Sequence, residues 1–395
     1  MSPRQASYVA HIVRVFKIHF PPRRLAFALS AQLVVLGVTG GVAQAEDSPP
    51  GQILSACRSV APPAAIGDVS KEPGNGKALA LSRAAGPLLF AGAYDRAIEK
   101  INQAVELEPT NPSFYANRGS AHVANRQWSK AVEDYDRAIA LNPTSSVAFL
   151  GRGEAYVKMG EYDRAVADFE EAIKLFSGNA RAHLTRGSAY VDRREYDRAI
   201  EDFSQSIKLD PLCPTGFAWR GSAYELKGDR DRAIADYDRA IELDSNPGNA
   251  TVFIRRASAY RGKRDHDRAI RDLDQALKLE PKNFRALSSR CFTRAIVGTF
   301  DSALADCNEA LRIRPDDATI LNTRGFAYLK KGSPDESIND YDAALRIDAK
   351  QANSLYGRAV AKRRKADIAG SERDFATARA IRPNVADDMA RYGIK

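Results

Sequence analysis

Apolar residues along most of this chain recur at alternating steps of three and four. From Val147 to Gly178 they fall at Phe149, Gly153 and Tyr156, and again at Ala165, Phe169 and Ala172. Each set marks one face of a helix. Gly160 interrupts the chain between them, and Glu161 and Asp163 stand where a helix start favours negative charge. The pattern predicts a helix, a tight turn and a second helix.

The unit repeats. "EYDRA" occupies 161–165 and again 195–199, an interval of 34, with looser versions at 93–97, 229–233 and 265–269. An arginine followed by a small residue recurs at Arg118, Arg152, Arg186, Arg220, Arg256, Arg290, Arg324 and Arg358. Every interval is 34 except the step from 220 to 256, which is 36 and takes its two extra residues in "DSNPGNA", 244–250. A Pro/Gly loop between helices is where an insertion costs least. Eight units span 110–383. One such unit buries too little apolar surface to stand alone, so each must stack on copies of itself.

The motif is aromatic-x-x-x-small-x-x-Tyr in the first helix, Ala-x-x-x-Phe/Tyr in the second, then Pro; it closely resembles the tetratricopeptide repeat. The resemblance implies an all-α, right-handed superhelical solenoid whose first helices line a concave groove for extended or helical partner segments. Residues 78–109 are read as a degenerate first repeat, in which Gly86-Pro87 is expected to break or shorten the first helix. Residues 384–395 are read as a capping segment with Val385, Met389 and Tyr392 on one stripe.

The family's carboxylate clamp, which grips C-terminal peptides with lysine and asparagine, does not fit. Its asparagine position holds Ser120, Glu154, Ser188, Ser222, Ser258, Phe292, Phe326 and Val360, and its lysine position is without lysine throughout. The first series is polar through five repeats and apolar in the last three, and a core position would not interchange Ser, Glu and Phe. It predicts an apolar groove patch from Phe292, Phe326 and Tyr356, beside Asn322, with Trp219 and Arg255 further back. The alternative is that these aromatics pack between neighbouring repeats.

Sixteen residues after each of the eight arginines stands an aspartate: Asp134, Asp168, Asp202, Asp236, Asp272, Asp306, Asp340 and Asp374. A salt bridge within each repeat is expected, tying first helix to second. Pairing with the preceding repeat is disfavoured, because Lys100 would then face Arg118. Cys291 and Cys307 replace a small and a usually aromatic residue that face one another in one repeat, which makes them a candidate disulfide. The histidines are scattered over different repeats, and there is no phosphate loop, dinucleotide motif, metal-ligand cluster or nucleophile elbow. No catalysis and no cofactor are expected.

The first 45 residues follow another grammar. Five basic residues and no acidic one precede an apolar run from Leu25 to Ala43, and Ala43-Gln44-Ala45 suits a leader peptidase. A signal peptide over 1–45 is expected, with an uncleaved anchor as the alternative; the body would be periplasmic or secreted. Residues 46–77, rich in Pro and Gly, read as a flexible tether. Of the net charge of +9, the leader carries +5 and residues 350–395 carry +6, leaving residues 46–349 at −2. This is a near-neutral body with a basic end, so nucleic acid is not an expected partner. The basic cluster Lys362, Arg363, Arg364 and Lys365 is either solvated or aimed at an acidic partner or an anionic envelope. The expected function is a non-catalytic scaffold for partner proteins. The alternative is a self-associating or envelope-anchoring protein that uses its basic end.

Overall fold

The computed structural model describes residues 76–244 and 250–394. The expected leader, the tether up to residue 75, Cys57 and the inserted loop at 245–249 lie outside the described residues. Among those described, every regular element is an α-helix. The degenerate unit is α1 (Gly76–Phe90) with α2 (Tyr94–Leu107). The next four pairs are α3 (Pro112–Ala124) with α4 (Trp128–Leu141), α5 (Ser146–Met159) with α6 (Tyr162–Leu175), α7 (Ala180–Asp192) with α8 (Tyr196–Leu209), and α9 (Pro214–Lys227) with α10 (Arg230–Leu243). The last four are α11 (Ala250–Gly262) with α12 (His266–Leu279), α13 (Phe284–Val297) with α14 (Phe300–Ile313), α15 (Ala318–Lys331) with α16 (Pro334–Ile347), and α17 (Ala352–Arg364) with α18 (Ile368–Ile381). A short α19 (Val385–Ala390) ends the order.

Each second helix packs on its own first helix and on the first helix of the next pair. First helices also touch their counterparts in the neighbouring repeats along the whole stack, so they make its inner wall. The small residue after each arginine sets the distance between the paired helices. At Gly153 and Gly187 an added methyl carbon would lie 2.6 and 2.7 Å from the rings of Phe169 and Phe203. Those rings are fully buried, as are the second-helix alanines Ala165 and Ala199. Burying such side chains is the main stabilising term of the stack.

One backbone position per repeat, at the turn between paired helices, is left-handed. Gly160, Gly228, Gly298 and Gly332 hold it, while Arg126, Arg194, Arg264 and Ala366 hold it in the other repeats with φ of 58°, 61°, 63° and 63°. The turn geometry is thus kept even where a side chain makes it cost about 1–2 kcal/mol. Side-chain oxygens of Asn111, Ser145, Asn179, Asn283 and Asp317 accept from backbone N–H groups and start first helices.

Two expectations need correction at the amino end. Gly86-Pro87 does not break its helix: α1 continues to Phe90 with Pro87 inside it. The proline sits in the last turn, where it removes a single N–H and little helix remains to be disturbed. The helix also begins at Gly76, two residues inside the segment read as tether. At the other end α19 packs on α17 and α18, burying Val385 and Met389.

Candidate functional site: the inner wall and its stitching

Each of the eight arginines donates from Nε and Nη2 to the aspartate of its own repeat, at 2.6–3.1 Å. Arg152 on α5, for example, reaches Asp168 Oδ2 at 2.8 Å and Oδ1 at 2.7 Å on α6. The fork geometry matches a carboxylate in two parallel bonds. In seven of the eight, all but Arg186, the third nitrogen answers to the repeat before. Nη1 of Arg152 donates to Asp136 at 2.6 Å, and Arg290, Arg324 and Arg358 reach back to Asp274, Asn308 and Asp342. Backward pairing, disfavoured because of Lys100, therefore occurs as well: Arg118 uses Asn102, two residues further on, at 2.9 Å. The arginines join neighbouring repeats as well as paired helices.

The recurrent phrase resolves in the same way. Its alanine is core, and its arginine lies over the first-helix tyrosine, as Arg164 over Tyr156 at 4.5 Å and Arg198 over Tyr190 at 4.1 Å. Its aspartate accepts from the next repeat thirty residues on: Asp163 from Arg193, Asp197 from Lys227, Asp301 from Lys331, Asp335 from Lys365. This outer row went unread in the sequence, although the thirty-residue spacing of opposite charges was there to find. Its members are exposed and contribute little individually.

Asp202 and Asp374 titrate below the ordinary carboxylate range. Burial alone would push both up, but bonds from Arg186 and His183 to Asp202, and from Arg358 and Lys362 to Asp374, outweigh it. A carboxylate with a lowered native pKa adds stability that is complete above its unfolded value of about 3.9 and is lost as pH falls through the native one. The gap in urea midpoint between the wild type and Asp202→Asn should therefore narrow between about pH 6 and about pH 3. A gap that stays constant would refute the assignment.

In the sixth repeat the small and aromatic positions are Cys291 and Cys307, bonded Sγ to Sγ at 2.05 Å with Cα atoms 5.5 Å apart. Two histidines serve their own repeats: His122 Nδ1 is 2.6 Å from Gln127 Oε1, and His183 Nδ1 is 3.1 Å from Asp202. Among the described residues no His, Cys, Asp or Glu side chains gather as a metal site.

The six residues expected to form an open groove patch are not brought together. Phe326 is 3% exposed and Tyr356 7%. Tyr356 packs on Phe375 of its own repeat, with ring centroids 4.8 Å apart. Trp219 stands edge-on to Phe203, Arg255 donates to Ser222 Oγ at 2.8 Å, and Asn322 accepts from Ser354 Oγ at 2.9 Å. Phe292 and Phe326 do share one place on the wall, 5.0 Å apart. The reason they are not open is the chain's own end: the Tyr392 ring lies 5.1 Å from Phe292 and 6.5 Å from Phe326. Lys330 Nζ donates to the Tyr392 carbonyl oxygen at 3.2 Å, and the Arg261 guanidinium lies 5.5 Å from the Phe292 centroid. Burial pushes the Arg261 pKa down, opposed by Tyr392 and Glu225.

The amino-terminal stretch of the wall is polar and cross-linked by its own groups. Glu154 takes three bonds from Arg181 at 2.7–3.0 Å, and Ser120 Oγ is 2.9 Å from Tyr135 Oη. The basic cluster is not a set of unengaged charges. Lys362 donates to Asp374, Arg363 to Glu372, Arg364 to the Leu329 carbonyl and Lys365 to Asp335.

Paired helices of fixed length, stacked through a repeated interface and facing one another along an inner wall, define a helical-repeat solenoid. The sequence matches models of the tetratricopeptide repeat over 119–160, 146–179, 184–250, 254–318 and 318–351, more than half of its length. The chain belongs to the tetratricopeptide repeat family, whose members are typically protein-interaction scaffolds. No curated protein matches it. Among solved structures it is similar to a chain of the APC/C hetero-tetramer Cut9-Hcn1, at 20% identity with a TM-score of 0.53, over 62% of this chain and 48% of that one. It is also similar to a tetratricopeptide repeat protein from Parabacteroides merdae, at 16% identity with a TM-score of 0.50, over 64% and 99% of the two chains. These likenesses establish the fold alone.

Proposed function

We propose that this chain is a non-catalytic scaffold that holds segments of partner proteins against its inner wall. The carrying observation is a division of labour within each repeat. Arginine, aspartate, small residue and second-helix alanine recur and are consumed by the frame. The wall position changes from Ser120, Glu154, Ser188, Ser222 and Ser258 to Phe292, Phe326 and Val360. A constant frame carrying variable wall chemistry suits recognition of a particular segment.

We further read the protein as exported, through the leader at 1–45, to the periplasm or beyond. The Cys291–Cys307 bond supports that reading, since such bonds persist in oxidising compartments. The rival, anchoring to an anionic envelope surface through residues 362–365, draws less support because each of those side chains has a partner within the chain.

Peptides selected from a display library against the mature chain test the proposal. Ser188→Trp combined with Ser258→Trp should fill the polar stretch of the wall and weaken the selected peptides at least tenfold, with helicity by circular dichroism unchanged. Undiminished binding of every selected peptide would overturn it.

A further inference from the structure

The tail beyond α19 does more than cap the last repeat. Capping needs contact with α17 and α18, and Val385 and Met389 supply it. Tyr392 instead reaches back across the wall to α15 and α13, one and two repeats before the last, and sets its ring against Phe326 and Phe292. Lys330, at the end of α15, fixes the backbone beside it, and Ile394 is fully buried. Gly393 makes the turn between the two with φ of 79°.

We infer that the wall formed by Phe292, Phe326, Lys330 and Arg261 is a peptide site held in cis by the chain's own end. Its external partner is a short segment that presents a tyrosine in the turn just after a helix, with flanking apolar residues spaced as Met389, Tyr392 and Ile394 are. This rests on the scaffold reading and gives it a partner class. Tyrosine is the residue type such a site selects: a large half-buried ring set edge-on against two touching phenylalanines, one end remaining wet, with a backbone carbonyl offered to an ammonium. The occupant is also built to leave. Helix α19 has six residues, far below the length that is stable alone in water. Among the described residues beyond it, Tyr392 and Ile394 hold the segment down. A tail tethered at the rim meets the site at an effective concentration of order millimolar. If it is seated nine-tenths of the time, an outside segment binds about tenfold more weakly than to the vacant wall.

The experiment uses a fluorescein-labelled peptide with the sequence of residues 384–395 and measures its anisotropy on the mature chain. Compared with it are the full-length Tyr392→Ala chain and a chain ending at Pro383, both checked for wild-type helicity. The peptide should bind Tyr392→Ala and the shortened chain at least tenfold more tightly than the intact one, and a scrambled peptide should bind none. Adding Phe292→Ser to Tyr392→Ala should abolish the gain. Equal affinity for intact and Tyr392→Ala chains, or no binding to either variant, would overturn the inference. So would tail-dependent dimers of the intact chain in light scattering, since the tail's second host would then be another copy. None of these failures touches the library peptides, whose undiminished binding to the Ser188→Trp, Ser258→Trp chain is what would sink the scaffold reading.

Discussion

Asp202→Ala should lower the stability of the array by about 3 kcal/mol, toward the lower bound for breaking a buried ion pair from one side. Asp202 is 4% exposed and accepts from Arg186 Nε and Nη2, each at 2.8 Å, and from His183 Nδ1 at 3.1 Å. Truncation leaves a half-buried guanidinium facing an apolar gap, with no carboxylate to offset its desolvation. Urea denaturation followed by circular dichroism reads the loss. The double variant Asp202→Leu with Arg186→Met should recover much of it, because an apolar pair of similar volume often replaces a buried ion pair without loss. A loss below about 1 kcal/mol for the single variant would place the pair with ordinary surface bridges.

Gly187→Val should cost a similar amount, about 3 kcal/mol, for a reason that has nothing to do with charge. Within a helix, replacing glycine ordinarily gains up to about 1 kcal/mol. Here the added carbon would meet the Phe203 ring at 2.7 Å, and that ring is fully buried and has nowhere to go. Overpacking of this kind typically costs 1–3 kcal/mol, and the second methyl of valine adds to it. The fifth repeat indicates the remedy, since Ala257 there stands sixteen residues before Leu273 rather than an aromatic. Phe203→Leu should therefore partly rescue Gly187→Val in thermal unfolding. If the single variant melts with the wild type, the close approach of the paired helices is not what the glycine provides.

Whatever repeats was legible in the sequence. Eight arginines and eight aspartates sixteen apart name a helix-to-helix contact, because a 34-residue unit lets each copy check the others. The backward reach of the same arginines was missed because its acceptors vary among Asn102, Asp136, Ser204 and Asn308, so no single letter recurs. Pro87 was overweighted as a breaker because the sequence alone did not place it in a last turn. The tail was beyond reach for a deeper reason. Tyr392 belongs to no repeat, and its contacts with Phe292 and Phe326 lie in two different repeats before the last, so periodicity carries no trace of them. The change from serine to phenylalanine along the wall was visible, but a change in wall chemistry says what kind of surface is needed without saying what lies on it.

The shared arginine also bears on how such an array changes length. Its backward acceptor can be an aspartate, an asparagine or a serine, and even the enlarged unit keeps one, with Arg256 reaching Asp238 at 2.6 Å. Seven of the eight arginines, all but Arg186, thus bring the same plug to an interchangeable socket. Whole units can be gained or lost by recombination with the seam closing behind them, while the two ends, which lack that interchangeability, stay where they are.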